Sequence, residues 1–227
     1  RGDPLPLLVA LSGRTTMRCH LLWAGLALMP LAAVSDALAQ ASMPSIPVQV
    51  QAQAPSGASR QVMLLDTAQS RFGFEVRTRL GQRIEGLFPR FDGRIEVLSD
   101  GRHQVRLRMY TRDVQIPDKP RYTAWMRGEE FFDAARYPLV EFDSIPYYPD
   151  TVKNGGEIQG RLTIRGISHI ETLRVEPAEC GRPGYDCDVI ALGNIQRGRY
   201  QMDNWQLALS DRVTFVLRAR LSGVPST

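Results

Sequence analysis

The chain has 227 residues and 43% hydrophobic content, which is enough for one domain with a substantial core and excludes a disordered or fibrous protein. Of its 28 basic side chains, all but Lys119 and Lys153 are arginines, and these are spread over nearly every predicted strand. Nucleic-acid sites usually cluster both cation types with stacking aromatics, so we predict solvated outer faces and no nucleic-acid partner.

The N-terminal segment has the pattern of a secretory signal peptide. A charged start at Arg18 is followed by the apolar run 21–34 and by small residues that end at Ala39. The run has fourteen residues. A helix that spans a bilayer needs about 20. We therefore predict that residues 1–39 comprise upstream sequence and a cleaved signal peptide, and that the protein is exported to the periplasm.

The next segment, residues 40–60, is rich in Pro, Ser, Ala and Gln and predicts a flexible linker. From Gln61 onward, apolar and polar residues alternate with a period of two, which predicts strands with one dry and one wet face. Asp92-Gly93 and Asp100-Gly101 are turn dipeptides, and the second predicts a hairpin. We expect residues 61–223 to form one domain of about eight antiparallel strands.

The stretch 122–144 changes its period and predicts a short helix that leads into a strand. Up to Phe132 its aromatic residues recur at a helical spacing, and after Pro138 apolar residues alternate as in a strand. Pro138 fixes its own φ and disfavours a helical conformation at Tyr137, so the change of structure is expected there. This helix should lie against, or close the mouth of, whatever the strands enclose.

Antiparallel strands with one apolar face form either a sandwich or a closed barrel, and closure removes the exposed edges. An eight-stranded barrel is wide enough to be filled by its own side chains or to hold one small ligand. From the pattern alone these two alternatives stay open. Nine aromatic residues fall on faces expected to point inward: Phe72, Phe74, Phe88, Phe91, Trp125, Phe131, Phe132, Phe142 and Phe215.

Residues with catalytic or metal-binding chemistry are scarce. Downstream of the signal segment the only histidines are His103 and His169, both next to predicted turns, and no nucleophile, zinc-protease or phosphate-loop motif occurs in the sequence. We interpret both histidines as surface residues and predict no catalytic residue and no metal. Cys180 and Cys187 flank a Pro-Gly turn, which favours a disulfide over a partial metal site.

Three blocks of the sequence resemble, in order and spacing, the best-known blocks of the YceI-like family of exported, lipocalin-like proteins. They are GLFPRFDGRIEV (86–97), MRGEEFFDAARYPLVEF (126–142) and GEIQGRLTIRGISHIETLRV (156–175). The resemblance implies an all-β fold: an extended eight-stranded antiparallel barrel with a short capping helix. It also implies a long apolar cavity for the isoprenoid tail of a quinone or polyprenyl lipid, with no other cofactor.

The resemblance, together with the inward aromatic residues, gives a set of expected ligand-binding positions. They are Phe72, Phe74, Val76, Phe88, Phe91, Trp125, Met126, Phe131, Phe132, Phe142, Leu162, Ile164 and Phe215. Family members often have histidines where this chain has Thr78-Arg79 and Trp125, so its polar head-group contacts are expected to differ.

The function that we expect is that of a non-enzymatic periplasmic carrier of a long-chain polyisoprenoid. Each buried CH₂ contributes about 0.8 kcal/mol, so a long tail binds tightly without specific polar contacts, and fatty acids or amides are alternative ligands. A stress-related interaction protein with a filled barrel, and an enzyme acting on a lipid head group through His103 or His169, are the rival hypotheses. Expected partners include the membrane surface and a quinone-using membrane protein. The oligomeric state stays open, with a homodimer as one alternative.

Overall fold

The computed structural model describes residues 61–223, and the predicted signal segment and linker lie outside these residues. Ten strands and two short α-helices follow one another in these residues. In order, they are β1 (Val62–Leu64), β2 (Arg71–Thr78), β3 (Arg83–Leu87), β4 (Phe91–Val97), β5 (His103–Tyr110), α1 (Pro120–Arg127), β6 (Leu139–Ser144), α2 (Asp150–Asn154), β7 (Gly156–Ile164), β8 (Ile167–Val175), β9 (Val189–Gln196) and β10 (Leu209–Ala219).

All ten strands belong to one antiparallel sheet in the order β1-β4-β5-β6-β7-β8-β9-β10-β2-β3. Its edges meet at two places. Three residues join β3 to β4, so one bent segment first pairs with β2 and then with β5. Beyond β1, Leu65 pairs with Leu221, and the Asp66 N–H donates to the carbonyl of Arg220 at 2.9 Å. The sheet is therefore strongly curled, which confirms the expected all-β antiparallel architecture. The strand count is ten rather than eight, because the bend at Pro89 divides one segment and β1 adds a short strand.

The alternation in the sequence sets the barrel's inner face. Phe72, Phe74 and Val76 of β2 are buried, and they pair with inward residues of β10 in register, with Phe74 opposite Phe215. Neighbouring glycines make room for the rings. A Cβ at Gly86 would lie 2.2 Å from the Phe74 ring, and a Cβ at Gly160 would lie 2.5 Å from the Phe142 ring.

The turn predicted at Asp92-Gly93 is wrong, because both residues lie inside β4. Gly93 faces the interior, where a Cβ would lie 2.4 Å from the Leu65 side chain and 2.7 Å from that of Leu107. Glycine is therefore present for close packing and not for turning. The predicted turn at Asp100-Gly101 is confirmed, with Gly101 at φ +79° between β4 and β5.

The predicted helix-to-strand change is confirmed, but the helix is shorter than expected. α1 ends at Arg127 because Gly128 is extended, with φ −73° and ψ 173°. Phe131 and Phe132 lie in the following turns and are buried against the barrel interior. α2 is a helix of five residues that the sequence analysis missed, and Gly155, at φ +80°, separates it from β7.

The outer face carries arginines matched by acids across neighbouring strands. The Arg108 Nε lies 3.4 Å from the Glu141 carboxylate, and the Arg106 Nε lies 3.8 Å from that of Asp143. This pairing is the pattern predicted for solvated faces. Within the described part of the chain, neither helix is long and apolar enough to cross a membrane.

Candidate functional site

The barrel interior contains an apolar cavity of about 310 Å³ at the end opposite α1. Its wall is almost wholly hydrocarbon and comes from inward residues at one end of the strands, including Leu65, Phe72, Leu107, Phe142, Ala191 and Leu217. Ligand pockets usually measure about 300–1,000 Å³ and bury most of a ligand's surface. The cavity therefore has the size and surface to hold part of an apolar chain.

Polar groups are concentrated at the rim of this cavity. Asp150 and Lys153 of α2, with Tyr185 of the disulfide loop, line it beside His103 and Tyr147. These groups can donate or accept hydrogen bonds where an apolar chain would emerge. An amphiphile bound with its tail inside would place its polar group among them.

His103 and Tyr147 form the innermost polar pair at the rim. Their backbones exchange hydrogen bonds of 2.8 and 2.9 Å, and the rings meet edge to face with centroids 6.1 Å apart. Burial lowers the pKa of His103 below its ordinary value of 6.5 and raises the pKa of Tyr147. Both side chains are therefore neutral at neutral pH. His103 lines the cavity instead of lying on the surface, which corrects our interpretation of this residue.

The interior narrows toward the α1 end. Beyond the main cavity lie a gap of about 20 Å³ and, further on, another of about 30 Å³. The main cavity shares Phe142 and Leu217 with the first gap, and the two gaps share Ile195 and Phe215. The three spaces therefore follow one another along the barrel and are separated by side chains only.

A cluster of aromatic rings fills the α1 end. The Phe74 ring lies 5.5 Å from Phe88, 5.7 Å from Phe132 and 6.4 Å from Phe215, measured between centroids. These contacts are the arrangement expected of a packed core. One end of the barrel is thus filled and the other is open.

Arg197 is buried beside the gap of about 30 Å³, with 2% of its surface exposed. Its Nε donates to the carbonyl of Ser210 at 3.0 Å, and its Nη1 donates to the carbonyls of Met202 and Asn204, the latter at 2.6 Å. Burial lowers the pKa of this guanidinium. Arg197 therefore fixes the loop before β10 over the filled end of the barrel.

The structure distributes the expected ligand-binding residues over both ends. Phe72 and Phe142 line the main cavity, and Leu162 lines the first gap with Phe142 and Phe215. Residues around the second gap are Phe74, Val76, Met126, Phe131, Phe132 and Phe215. Phe88, Phe91 and Ile164 are buried in the core. Trp125 does not point inward, because it is 38% exposed and packs against Trp205 outside the barrel.

The sequence analysis missed most of the main cavity's wall. Val105 and Leu107 lie at inward strand positions that the alternation marks, but they were passed over in favour of aromatic residues, and Ala191 lies in a run that is apolar at successive positions. Tyr147 and Tyr185 come from irregular segments. No periodicity in the sequence could have placed these two.

The predicted disulfide is confirmed, with Cys180 and Cys187 joined and their Cα atoms 6.0 Å apart. The loop that it closes forms part of the rim through Pro183 and Tyr185. The loop is held to the end of β10, since the Arg220 Nη1 donates to the carbonyl of Tyr185 at 2.7 Å. The disulfide therefore helps to position one wall of the cavity mouth.

A family model described as YceI-like domain matches residues 64–221, which is most of the chain. The chain belongs to the YceI-like family. The match covers every strand except part of β1, so the family assignment applies to the whole barrel.

Several solved structures are similar to this YceI-like chain at low sequence identity, and the first of them shares its fold. Burkholderia cenocepacia BcnA is 20% identical, with a TM-score of 0.59 over 70% of this chain and 99% of that one. A polyisoprenoid binding domain from Saccharophagus degradans, implicated in plant cell wall breakdown, is 16% identical, with a TM-score of 0.49 over 71% and 98%. A Campylobacter jejuni YceI protein is 18% identical, with a TM-score of 0.46 over 61% and 85%. No curated protein matches the chain.

Proposed function

We propose that this YceI-like protein is a periplasmic carrier that binds the tail of a long-chain polyisoprenoid, such as an isoprenoid quinone or a polyprenyl lipid, without catalysing a reaction on it. The observation that carries the proposal is the apolar cavity of about 310 Å³ inside the barrel, open at one end. Membership of the family and the resemblance described above support a prenyl tail as the ligand.

Binding is driven by removal of the tail from water. Each CH₂ transferred into the cavity contributes about 0.8 kcal/mol, so four to six carbons contribute roughly 3–5 kcal/mol. A longer tail reaches the two gaps beyond only if side chains such as Phe142, Leu217 and Phe215 change rotamer. The length of tail that the protein accepts therefore depends on how readily these side chains move.

The polar group of the ligand is placed at the rim in this proposal. Asp150 and Lys153 are at the solvent side of the mouth, and the neutral pair His103 and Tyr147 lies further in. Neutral donors and acceptors suit a quinone carbonyl or a prenyl alcohol at the inner position. A charged head group would instead reach Lys153.

The proposal is tested by native mass spectrometry, with organic extraction, of protein purified from its own periplasm without detergent. A stoichiometric prenyl lipid supports the carrier function and identifies the ligand. Delipidated protein is then titrated with prenyl alcohols and with fatty acids of equal carbon number. Preference for the fatty acids would contradict the prenyl assignment, and failure to bind either series would contradict the carrier function.

An assay for chemical conversion of the bound lipid distinguishes a carrier from an enzyme. We expect extracted lipid to be chemically unchanged after prolonged incubation with the protein. Conversion of the lipid that is lost in His103→Gln would show an enzyme and overturn the non-enzymatic part of the proposal.

A further inference from the structure

The α1 end of the barrel carries exposed apolar side chains that cavity binding does not explain. Leu80, in the turn between β2 and β3, is 98% exposed, and Leu207, in the loop before β10, is 96% exposed. The two turns are joined directly. The Arg79 N–H donates to the carbonyl of Ala208 at 2.8 Å, and its Nε donates to the carbonyl of Gln206 at 3.1 Å. The two leucines therefore belong to one surface.

Three aromatic side chains that pack against one another extend this surface onto α1. Tyr122 stacks on Trp125 with ring centroids 5.2 Å apart, and Trp125 packs against Trp205 at the same centroid distance. Trp125 is 38% exposed and Trp205 43%. We call the surface formed by Leu80, Tyr122, Trp125, Trp205 and Leu207 the apolar tip.

Basic side chains surround the apolar tip. Arg77, Arg79, Lys119 and Arg121 are exposed, and none of them forms an ion pair with another residue in the range 61–223. The Lys119 ammonium lies 5.5 Å from the centroid of the Tyr122 ring.

Acidic residues lie at both ends of the barrel. Asp118, Glu130 and Asp203 lie at the α1 end, where Glu130 accepts a hydrogen bond from the Trp205 indole. Glu129 and Asp133 lie beside Glu130 in a hollow that Asn204 also lines. At the opposite end, Tyr148 is 67% exposed, and the exposed charges nearby have both signs, with Asp150, Glu176 and Glu179 as well as Lys153. Within the described residues, the α1 end is distinguished by unpaired cations that lie beside its exposed leucines, so an anionic surface can contact both together.

We propose that the apolar tip docks on an anionic phospholipid bilayer, with Leu80 and Leu207 inserted and the tryptophans at the level of the head groups. Tryptophan and tyrosine prefer this interfacial depth, and nearby arginine and lysine add attraction to anionic lipid. The two leucines are almost completely exposed, and a Cβ at Gly81, beside Leu80, would have no atom within 4 Å. Such a protruding shape suits insertion into a fluid interface better than contact with a flat protein surface.

Docking in this orientation places the filled end of the barrel next to the membrane. Met126 follows Trp125 on α1, and Met202 lies in the same loop as Trp205; both methionines line the gap of about 30 Å³. This end becomes the membrane-facing side of the carrier, and the open mouth faces away. The inference does not depend on which ligand the cavity holds.

The positions of the tryptophans make the test specific. The chain has three, at 23, 125 and 205, and Trp23 lies in the predicted signal peptide, so protein that begins after Ala39 has only the two in the apolar tip. This protein is mixed with vesicles of phosphatidylethanolamine and phosphatidylglycerol whose acyl chains carry bromine. We expect a blue shift and strong quenching of tryptophan emission, and an affinity loss of roughly 30-fold or more in the double variant Leu80→Asp/Leu207→Asp.

Tyr148→Asp, at the open mouth, is the matched control and should bind vesicles like the parent. Both leucines are exposed, so the double variant should unfold at the parent's urea concentration. Unchanged emission, or loss of binding in Tyr148→Asp alone, would overturn the docking orientation. If the parent self-associates without binding vesicles, and Leu80→Asp/Leu207→Asp abolishes this self-association, the apolar tip would instead bind a second copy of this chain. Lipid content after extraction is recorded separately, so failure of docking and failure of the carrier function are distinguishable.

Discussion

Filling the main cavity should weaken ligand binding without destabilising the free protein. Ala191 lies on the inner face of β9, opposite Leu217 of β10 and Val175 of β8, and all three residues line the cavity. In Ala191→Phe the ring extends into the empty space of about 310 Å³. It occupies room that a bound tail would otherwise take.

The size of the effect follows from the carbons displaced. A ring that replaces about three tail carbons removes about 2.4 kcal/mol of binding free energy, which weakens affinity roughly 60-fold. The free protein should unfold at the same or a higher urea concentration, because the ring buries apolar surface in space that was unfilled. Loss of affinity without loss of stability is the expected signature of a binding cavity.

The assay is titration of delipidated protein with a prenyl alcohol series, combined with urea unfolding of the unliganded protein. Leu192→Phe is the matched control, because Leu192 follows Ala191 on the same strand and faces outward. The reasoning is refuted if Leu192→Phe weakens binding as much as Ala191→Phe. It is also refuted if Ala191→Phe binds the whole series normally.

Three further predictions concern the interior. Gly86→Ala places a methyl group against the Phe74 ring and should lower the free energy of unfolding by about 1–3 kcal/mol in urea titrations. Arg197→Met leaves one buried and two partly buried carbonyls without their donor, so we expect a loss of about 3 kcal/mol and faster proteolysis of the loop before β10. His103 has a lowered pKa in the folded state, so the unfolded state binds more protons as the pH falls below 6.5. The free energy of unfolding should therefore be at its full value above pH 6.5 and decrease below it. In urea unfolding, His103→Asn should show a weaker dependence on pH over this range.

Each of these predictions has a control or a contradicting outcome. Gly181→Ala should be neutral, since a Cβ there meets no atom within 4 Å, and equal losses at both glycines would contradict the steric argument for Gly86. Normal stability of Arg197→Met would show that its hydrogen bonds are dispensable. For His103, a variant with the same pH dependence as the parent would place the responsible group elsewhere.

The sequence predicted the strands well because one face of each strand packs in the apolar interior and the other face contacts water. Period-two alternation located the buried residues of β2 and β10, and the dipeptide Asp100-Gly101 marked the turn between β4 and β5. There Gly101 has a positive φ of 79°. Local signals of this kind act within a few residues, so a single sequence contains them.

The candidate site was harder to predict because its wall is assembled from distant segments. The Asp92-Gly93 pair has the composition of a turn, but Gly93 is required by Leu65 and Leu107, which are contacts across the barrel. The ligand-site prediction favoured aromatic residues, yet most of these residues pack together at the α1 end. Trp125 has the helical spacing of a buried residue but belongs to the apolar tip.

On β9 and β10 the inward side chains become smaller toward the cavity, which leaves space at that end of the barrel. Successive inward residues of β10 shrink from Phe215 through Leu217 to Ala219, and the antiparallel β9 presents Ala191 and Val189 beside the two smaller ones. Barrel walls stay at a fixed spacing set by the hydrogen-bond ladder, so small side chains leave the centre empty where aromatic side chains fill it. The position of a cavity in such a barrel is therefore indicated less by where the aromatic residues are than by where the inward positions become small.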